Sequence, residues 1–303
     1  MRGVFVDANE SLAVITERLR RPGDPEVSVN RDPEIRPNQM PAILNGAEIA
    51  IIDHTALPTD VAKRCAGLKD VVFLGTGARS YMNPEELAEL GISVHLIKGY
   101  GDTAVAESAI ALMWASARVI ALMDREMRAG NWLREDGMQL TGKTLGLVGF
   151  GGIAAEVARI ALGSGMKVMA WNRSARSYPG VEFVGLDTVL ATSDVVSIHL
   201  LLNDETRGMI TREKIAAMKP GVILVNTARA AIVDEGPMID ALMSGHIRHA
   251  GLDVFNIEPL PMDHPLAKLS NVTLSAHSAF RTPEASENLI QAAWEHCRRI
   301  SRG

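Results

Sequence analysis

The 303-residue chain is poor in cysteine and in aromatic residues, with two Cys (Cys65 and Cys297) and an aromatic share of 4%. Two distant thiols without a CxxC spacing exclude a disulfide framework and a structural zinc site. Basic residues are also short: 31 Lys and Arg against 36 Asp and Glu leave a net charge of -5 and a pI near 5.9. That balance argues against a nucleic-acid groove or an anionic membrane surface as the main partner. Long hydrophobic runs are missing. The most apolar window, AIALMWASARVIALM, is broken by Arg118 and is too short on either side to span a bilayer. Asp7 within the first strand-like run argues against a signal peptide, so a cytoplasmic protein is expected. No internal repeat is evident, which excludes solenoids and propellers. What is present is ordinary globular material, 47% hydrophobic and 22% charged, in a length that predicts roughly two domains.

Short β-branched runs alternate with helical patterns from the start. GVFVDA, EIAIIDHT, DVVFLGTG and ISVHLIKG read as strands, and SLAVITERLRR, DVAKRCAG and PEELAELG as helices. A long apolar-striped segment without Pro or Gly before Gly130 predicts one continuous helix from Thr103, serving as connector, dimer contact or both. A second series follows: KTLGLVGF, KVMAWN, DVVSIHL, GVILVN, HAGLDVF and NVTLSAH as strands, GIAAEVARIALG and TREKIAAM as helices. Thr211 begins the latter with an imperfect capping box. Strands separated by helices imply parallel sheets. The expected fold is α/β, with two Rossmann-like or flavodoxin-like domains. Residues 1–99 and 283–303 form a substrate-binding domain, and residues 100–282 form a dinucleotide-binding domain inserted into it. The joints near 98–103 and 281–283 would let substrate close a cleft.

GLVGFGGIA places Gly149-x-Gly151-x-x-Ala154 directly after a strand and at the start of a helix. The first glycine permits a tight turn and the second lets the backbone approach a pyrophosphate. The small third residue allows helix–strand packing. The helix N-terminus then offers free N–H groups to the anion. An NAD site usually carries an acid about 20 residues further on. Here Asn172 stands 172 − 151 = 21 residues after Gly151, followed by Arg173 and Ser174. With no acid to repel it, a 2′-phosphate suits this cluster, and NADP(H) is the expected cofactor. The alternative is that Arg173 is a solvated surface charge.

VILVN predicts a buried strand, yet it leads straight into Thr227 and a lone Arg229 among alanines. A buried charge is costly unless something pairs with it. Ligands of open α/β sheets lie beyond the carboxyl ends of strands. Arg229 and Asp253 follow such strands, and Glu258 and His277 lie beyond later ones. A buried cation, a carboxylate and an imidazole meeting near a nicotinamide would form a site for a 2-oxo acid. The guanidinium fork suits a carboxylate with its adjacent carbonyl, and a histidine backed by a carboxylate can deliver a proton.

The stretch from Asn226 to His277, together with the glycine turn, resembles the D-isomer-specific 2-hydroxyacid dehydrogenases. That family includes glyoxylate/hydroxypyruvate reductases, D-lactate dehydrogenases and 3-phosphoglycerate dehydrogenases. The likeness is strong from about Leu140 to Pro283 and mainly topological over the first hundred residues. It implies a catalytic set of Arg229, Glu258 and His277, with spacings 258 − 229 = 29 and 277 − 258 = 19. It implies a cofactor set of Thr103, Gly149, Phe150, Gly151, Gly152, Ile153, Asn172, Arg173, Ser174, His199, Thr206, Thr227, Ala228 and Asp253. TAVAESAIALMWASAR resembles the family's interdomain and dimerisation helix, so a homodimer is expected. For His199 a core role competes with the cofactor role, and for Asp253 strand-end capping competes with a place near the nicotinamide.

Ala230 replaces the family's usual glycine and Ala276 its usual proline, both small changes that leave the chemistry in place. The substrate loop departs further: LGTGARSYMNPEEL stands where the family often reads Gly-Val-Gly-Tyr-Asp. Thr76 and Gly77 are still expected to offer N–H groups to a carboxylate, and Arg79 and Tyr81 to extend that site. No metal is implied, and His54, His95, His246, His249, His264 and His296 share no ligand spacing. Trp114 and Trp132 are read as packing or dimer anchors. The expected activity is NADPH-dependent reduction of a small 2-oxo acid to the D-2-hydroxy acid. An NAD-dependent 3-phosphoglycerate-type dehydrogenase is the alternative. A nicotinamide-sensing regulator is disfavoured because no appendage for partner peptides is read at either end. A 6-phosphogluconate-type enzyme is disfavoured because its glycine turn lies near the N-terminus.

Overall fold

Residues 1–302 are described by a computed structural model. They fall into two units, Met1–Gly101 with the segment from Arg281 onward, and Asp102–Phe280.

In the first unit the apolar tetrapeptides form one parallel sheet. Its strands are β1 (Arg2–Phe5), β2 (Glu26–Val29), β3 (Ile49–Ile52), β4 (Asp70–Phe73) and β5 (Ser93–Leu96), in the order β2-β1-β3-β4-β5. All four residues of β3 are buried, as a parallel strand covered on both faces requires. Alternate residues feed two cores. Val4, Ala50, Ile52, Val71 and Phe73 pack with Met40, Leu44 and Val61 from α2 (Met40–Leu44) and α3 (Thr59–Ala62), which follow α1 (Glu10–Arg18). Phe5, Ile49, Ile51 and Val72 pack on the other face with Leu289, Ile290 and Trp294 of the closing helix, Pro283–Ile300. Between β4 and β5 lies α4 (Pro84–Glu89). Strand β2 escaped the sequence reading because it is an edge strand with Val27 its one buried residue.

The second unit opens with a departure from expectation. The predicted single helix is two, α5 (Asp102–Ala117) and α6 (Ile120–Arg128), bent by 67°. Val119 takes the left-handed conformation at φ 54, and the incoming Met138 N–H donates to the Ala117 carbonyl at 2.7 Å. A β-branched residue there is strained. The strain persists because the 137–138 backbone packs onto Ala117 and Arg118. No single helix among the described residues is long and apolar enough to cross a membrane.

A seven-stranded parallel sheet follows, with order β12-β11-β10-β9-β6-β7-β8. Its strands are β6 (Thr144–Val148), β7 (Lys167–Trp171), β8 (Val181–Phe183), β9 (Val195–Ile198), β10 (Val222–Asn226), β11 (Ile247–Leu252) and β12 (Val272–Leu274). One face carries α5 and α7 (Gly152–Gly163), with Met113, Leu145, Val157 and Ile223 in a shared core. The other carries α8 (Leu186–Thr192), α9 (Arg212–Ala216) and α10 (Glu235–Met243), packed on Val148, Ile198, Leu224 and Leu252. Strand β8, three residues long at the sheet edge, was not read from the sequence. The order reverses between β6 and β9, the kind of switch point at which such sheets bind ligands.

Candidate active site

The turn between β6 and α7 is Gly149-Phe150-Gly151. Gly149 has φ 93, and a Cβ there would stand 2.7 Å from the His199 carbonyl oxygen, so only glycine fits. At Gly151 a Cβ would meet nothing within 4 Å, which leaves open approach to the backbone. Ala154 is fully buried against the sheet. The N–H groups of Gly151, Gly152 and Ile153 have no partner among the described residues, as at a helix end arranged for an anion. The Thr227 hydroxyl is buried without a partner, also in this unit. An open glycine cradle, free first-turn donors and an orphaned hydroxyl fit a dinucleotide.

Several cofactor assignments change in detail. The Phe150 ring lies in the core against Tyr178 and Phe183, so only its backbone belongs to the turn. Asn172 is committed to the turn: its Oδ1 accepts from Phe150 N at 3.1 Å and its Nδ2 donates to Ser174 at 2.9 and 3.0 Å. The absence of an acid near Arg173 does not hold, because Glu205 pairs with it from the loop after β9. Nothing in the local sequence signals a partner 205 − 173 = 32 residues away. Thr206 spends its hydroxyl on its own turn, donating to Leu201 O at 2.6 Å and accepting from Asn203 N at 2.8 Å. Thr103 is exposed in the first turn of α5, and Ile153 packs partly against the core. The His199 ring meets Ser197 Oγ at 2.8 Å, and burial pushes its pKa down to about 4, so it is neutral. A residue the sequence reading missed is Asp102. Its carboxylate lies where a Gly152 side chain would be, and desolvation, aided by Glu156, pushes its pKa up.

Three neighbouring strands deliver the catalytic candidates. Beyond β10, Asn226 Oδ1 accepts from Ala228 N and its Nδ2 donates to Arg229 O, both at 3.0 Å. This closed turn carries Arg229 out of the sheet. The arginine is exposed rather than buried, its Nη1 donating to Ala228 O at 2.6 Å, so the desolvation argument from sequence is corrected. Beyond β11, Asp253 is 1% exposed and fully engaged. Its carboxylate accepts from Ser275 Oγ (2.5 Å), Ser278 N (3.0 Å) and Ala279 N (3.0 Å). Its carbonyl accepts from His277 N at 2.8 Å. Asp253 therefore clamps the loop that follows β12, where His277 sits at φ 47. His277 Nδ1 meets Glu258 Oε2 at 2.8 Å, and Phe280 stands edge-on to the ring at 6.4 Å. The other ring nitrogen, Nε2, has no partner among the described residues.

In the N-terminal unit, the backbone N–H groups of Thr76 and Gly77 are free of partners among the described residues. Arg79 is exposed and paired with Glu85. Tyr81 is a packing residue, its ring 5.3 Å from Phe73 and its carbonyl accepting from Leu57 N. Trp114 packs partly against the core, whereas Trp132 is exposed. Among the described residues no cluster of metal ligands is found.

Residues 110–279 match the family model of the D-isomer specific 2-hydroxyacid dehydrogenase NAD binding domain. The chain is 39% identical over 248 residues to a hydroxypyruvate reductase of Thermotoga maritima, covering 80% of each. It is 39% identical over 229 residues to a glyoxylate reductase of Korarchaeum cryptofilum, covering 72% of this chain and 69% of the relative. Among solved structures it resembles an acyclic imino acid reductase in complex with NADPH and D-Arg. That likeness has a TM-score of 0.86 and 27% identity over 100% of this chain and 98% of the other.

Proposed function

The chain belongs to the D-isomer-specific 2-hydroxyacid dehydrogenases, and from that premise we propose that it reduces a small 2-oxo acid of the glyoxylate or hydroxypyruvate type with NADPH. The observation that carries this reading is the His277–Glu258 pair at 2.8 Å, whose outer ring nitrogen is free. Bound NADPH supplies the hydride. His277 gives the proton at Nε2 to the carbonyl oxygen as it gains charge. Glu258 accepts from the Nδ1–H, which fixes the tautomer and orientation of the ring. Arg229 takes the substrate carboxylate and polarises the carbonyl with its planar fork. The Thr76 and Gly77 N–H groups of the N-terminal unit, free of partners among the described residues, are by themselves suited to a carboxylate. The product is the D-2-hydroxy acid.

The cofactor reading rests on Arg173. Its partner Glu205 is exposed, as is Arg173 itself, and such pairs contribute about 0–1 kcal/mol. A 2′-phosphate offers a denser charge and a bidentate partner, and displaces the carboxylate. The NADPH-bound imino acid reductase is a supporting likeness. We also read the protein as a cytoplasmic homodimer built on the α5–α6 segment, where Ile120 and Met127 are exposed apolar residues. Light scattering reporting a monomer at micromolar concentration refutes the dimer. The activity is tested with glyoxylate, hydroxypyruvate, pyruvate and phenylpyruvate, each with NADPH and NADH. NADPH is expected to exceed NADH at least tenfold in kcat/KM, or about 1.4 kcal/mol. Absence of turnover with every 2-oxo acid overturns the reading.

A further inference from the structure

We propose that Glu205 sets how sharply this chain discriminates between a 2′-phosphorylated and a plain adenosine ribose, by competing with the phosphate for Arg173. The proposal rests on the NADP(H) reading above and deepens it. Arg173 lies two residues past the end of β7, and Glu205 lies in the loop after β9. Strands β7 and β9 flank β6 on opposite sides. The ion pair between them therefore closes beyond the carboxyl end of β6, the strand that leads into the glycine turn.

The neighbours narrow the roles available. Asn172 is tied to Phe150 N and to Ser174, and Thr206 is tied to Leu201 and Asn203. Of the residues assigned to the cofactor, Arg173 is thus the one whose charge can act on a ribose substituent, and Glu205 is the acid it is paired with. Both side chains are exposed, 77% and 69%, so the pair opens at little cost. Its opening is required only when a phosphate arrives. A plain ribose makes no claim on the guanidinium, so Glu205 taxes the phosphorylated cofactor and is indifferent to the other. Removing the carboxylate charge frees Arg173 beforehand and sharpens the preference. Because the residues are solvated, the effect is also sensitive to salt.

Calorimetric titration with NADP⁺, NAD⁺ and 2′,5′-ADP tests this on wild type, Glu205→Gln, Arg173→Ala and the double variant. Glu205→Gln is expected to tighten NADP⁺ and 2′,5′-ADP by roughly two- to fivefold at low salt, leaving NAD⁺ unchanged. The gain should shrink at high salt and vanish in the Arg173→Ala background. Arg173→Ala alone should weaken NADP⁺ by at least about tenfold. If it does so while Glu205→Gln leaves the NADP⁺/NAD⁺ affinity ratio unchanged, the role of Glu205 is overturned and the NADP(H) reading stands. A gain that persists undiminished without Arg173 also overturns the competition. If Arg173→Ala leaves NADP⁺ affinity intact, the NADP(H) reading itself fails, and the proposal falls with it.

Discussion

Both units carry a parallel sheet whose strand order reverses once, yet they finish their strand ends in opposite ways. In the N-terminal unit the reversal lies between β1 and β3, and the buried Asp7 closes it. Its carboxylate accepts from Asp53 N (2.9 Å), His54 N (2.9 Å) and Thr55 N (2.7 Å). In the second unit the corresponding place, between β6 and β9, holds a glycine turn with free N–H groups. Each unit also has a histidine–carboxylate pair. His54 is held at both ring nitrogens, by Asp53 at 3.2 Å and by the Pro33 carbonyl at 2.8 Å, whereas His277 is held at one. A ring tied at both ends has no proton to deliver to a ligand. The chemistry is to be sought where the fold leaves donors unspent, and a histidine beside an acid is not enough to mark it.

The sharpest break of this contrast is to remove each histidine in turn. His277→Ala should lower kcat by about 10²–10⁴-fold while leaving NADPH affinity and thermal stability unchanged. His54→Ala should leave kcat in the wild-type range. Steady-state kinetics on the two variants decide it, and a His277→Ala enzyme near wild-type rate sinks the assignment of the acid.

The two glycines of the turn should separate folding from binding. Gly149→Ala combines positive φ with a 2.7 Å approach to a backbone carbonyl, and should destabilise by about 2–5 kcal/mol. Gly151→Ala points into open space, so its melting temperature should match wild type. Its NADPH affinity should nevertheless fall by roughly tenfold, about 1.4 kcal/mol. Calorimetry for melting and titration for affinity check both. Equal loss of stability in the two would remove the argument for an open cradle.

Asp7→Asn tests the finished end. It removes the charge that three backbone donors share, and should cost about 1–3 kcal/mol of stability with NADPH affinity retained. Chemical denaturation followed by cofactor titration measures this, and a loss of affinity without loss of stability contradicts a closing role.

The smallest effect concerns pH. The hydrogen bond that His54 donates to the Asp53 carboxylate, with Asp7 adding to it against desolvation, raises the His54 pKa to about 9. A histidine raised above its ordinary 6.5 adds stability that is complete below that value and is lost as pH rises through about 9. The wild type should therefore lose a fraction of its stability between these values that His54→Ala does not lose. Parallel unfolding curves across that window would show that the pair is inert.

The sheets and the glycine turn are legible in the sequence because each rests on local pattern, whereas Arg229, Glu258 and His277 are singled out by their places beyond strand ends and by the family resemblance. Apolar periodicity marks a strand, and strand–turn–helix context marks the turn. Edge strands β2 and β8 were not legible, since they bury little. Nor were pairings over long separations: Glu205 with Arg173, Asp102 with Gly152, and Asp253 with the His277 loop all depend on which strand ends fall side by side. Arg229, a buried cation by sequence, is exposed for a related reason. A strand's apolar run says where the core is, but the Asn226 turn decides that the chain has left it before Arg229.

The joint at Val119 has a further meaning. One residue held in an unfavoured backbone state, and one peptide contact from Met138 to Ala117, fix the direction of α6. Helix α5 is buried against the sheet, whereas α6 buries none of its residues. The residues at 118–119 and 137–138 therefore bear on the direction of an exposed helix rather than on the strands of the sheet.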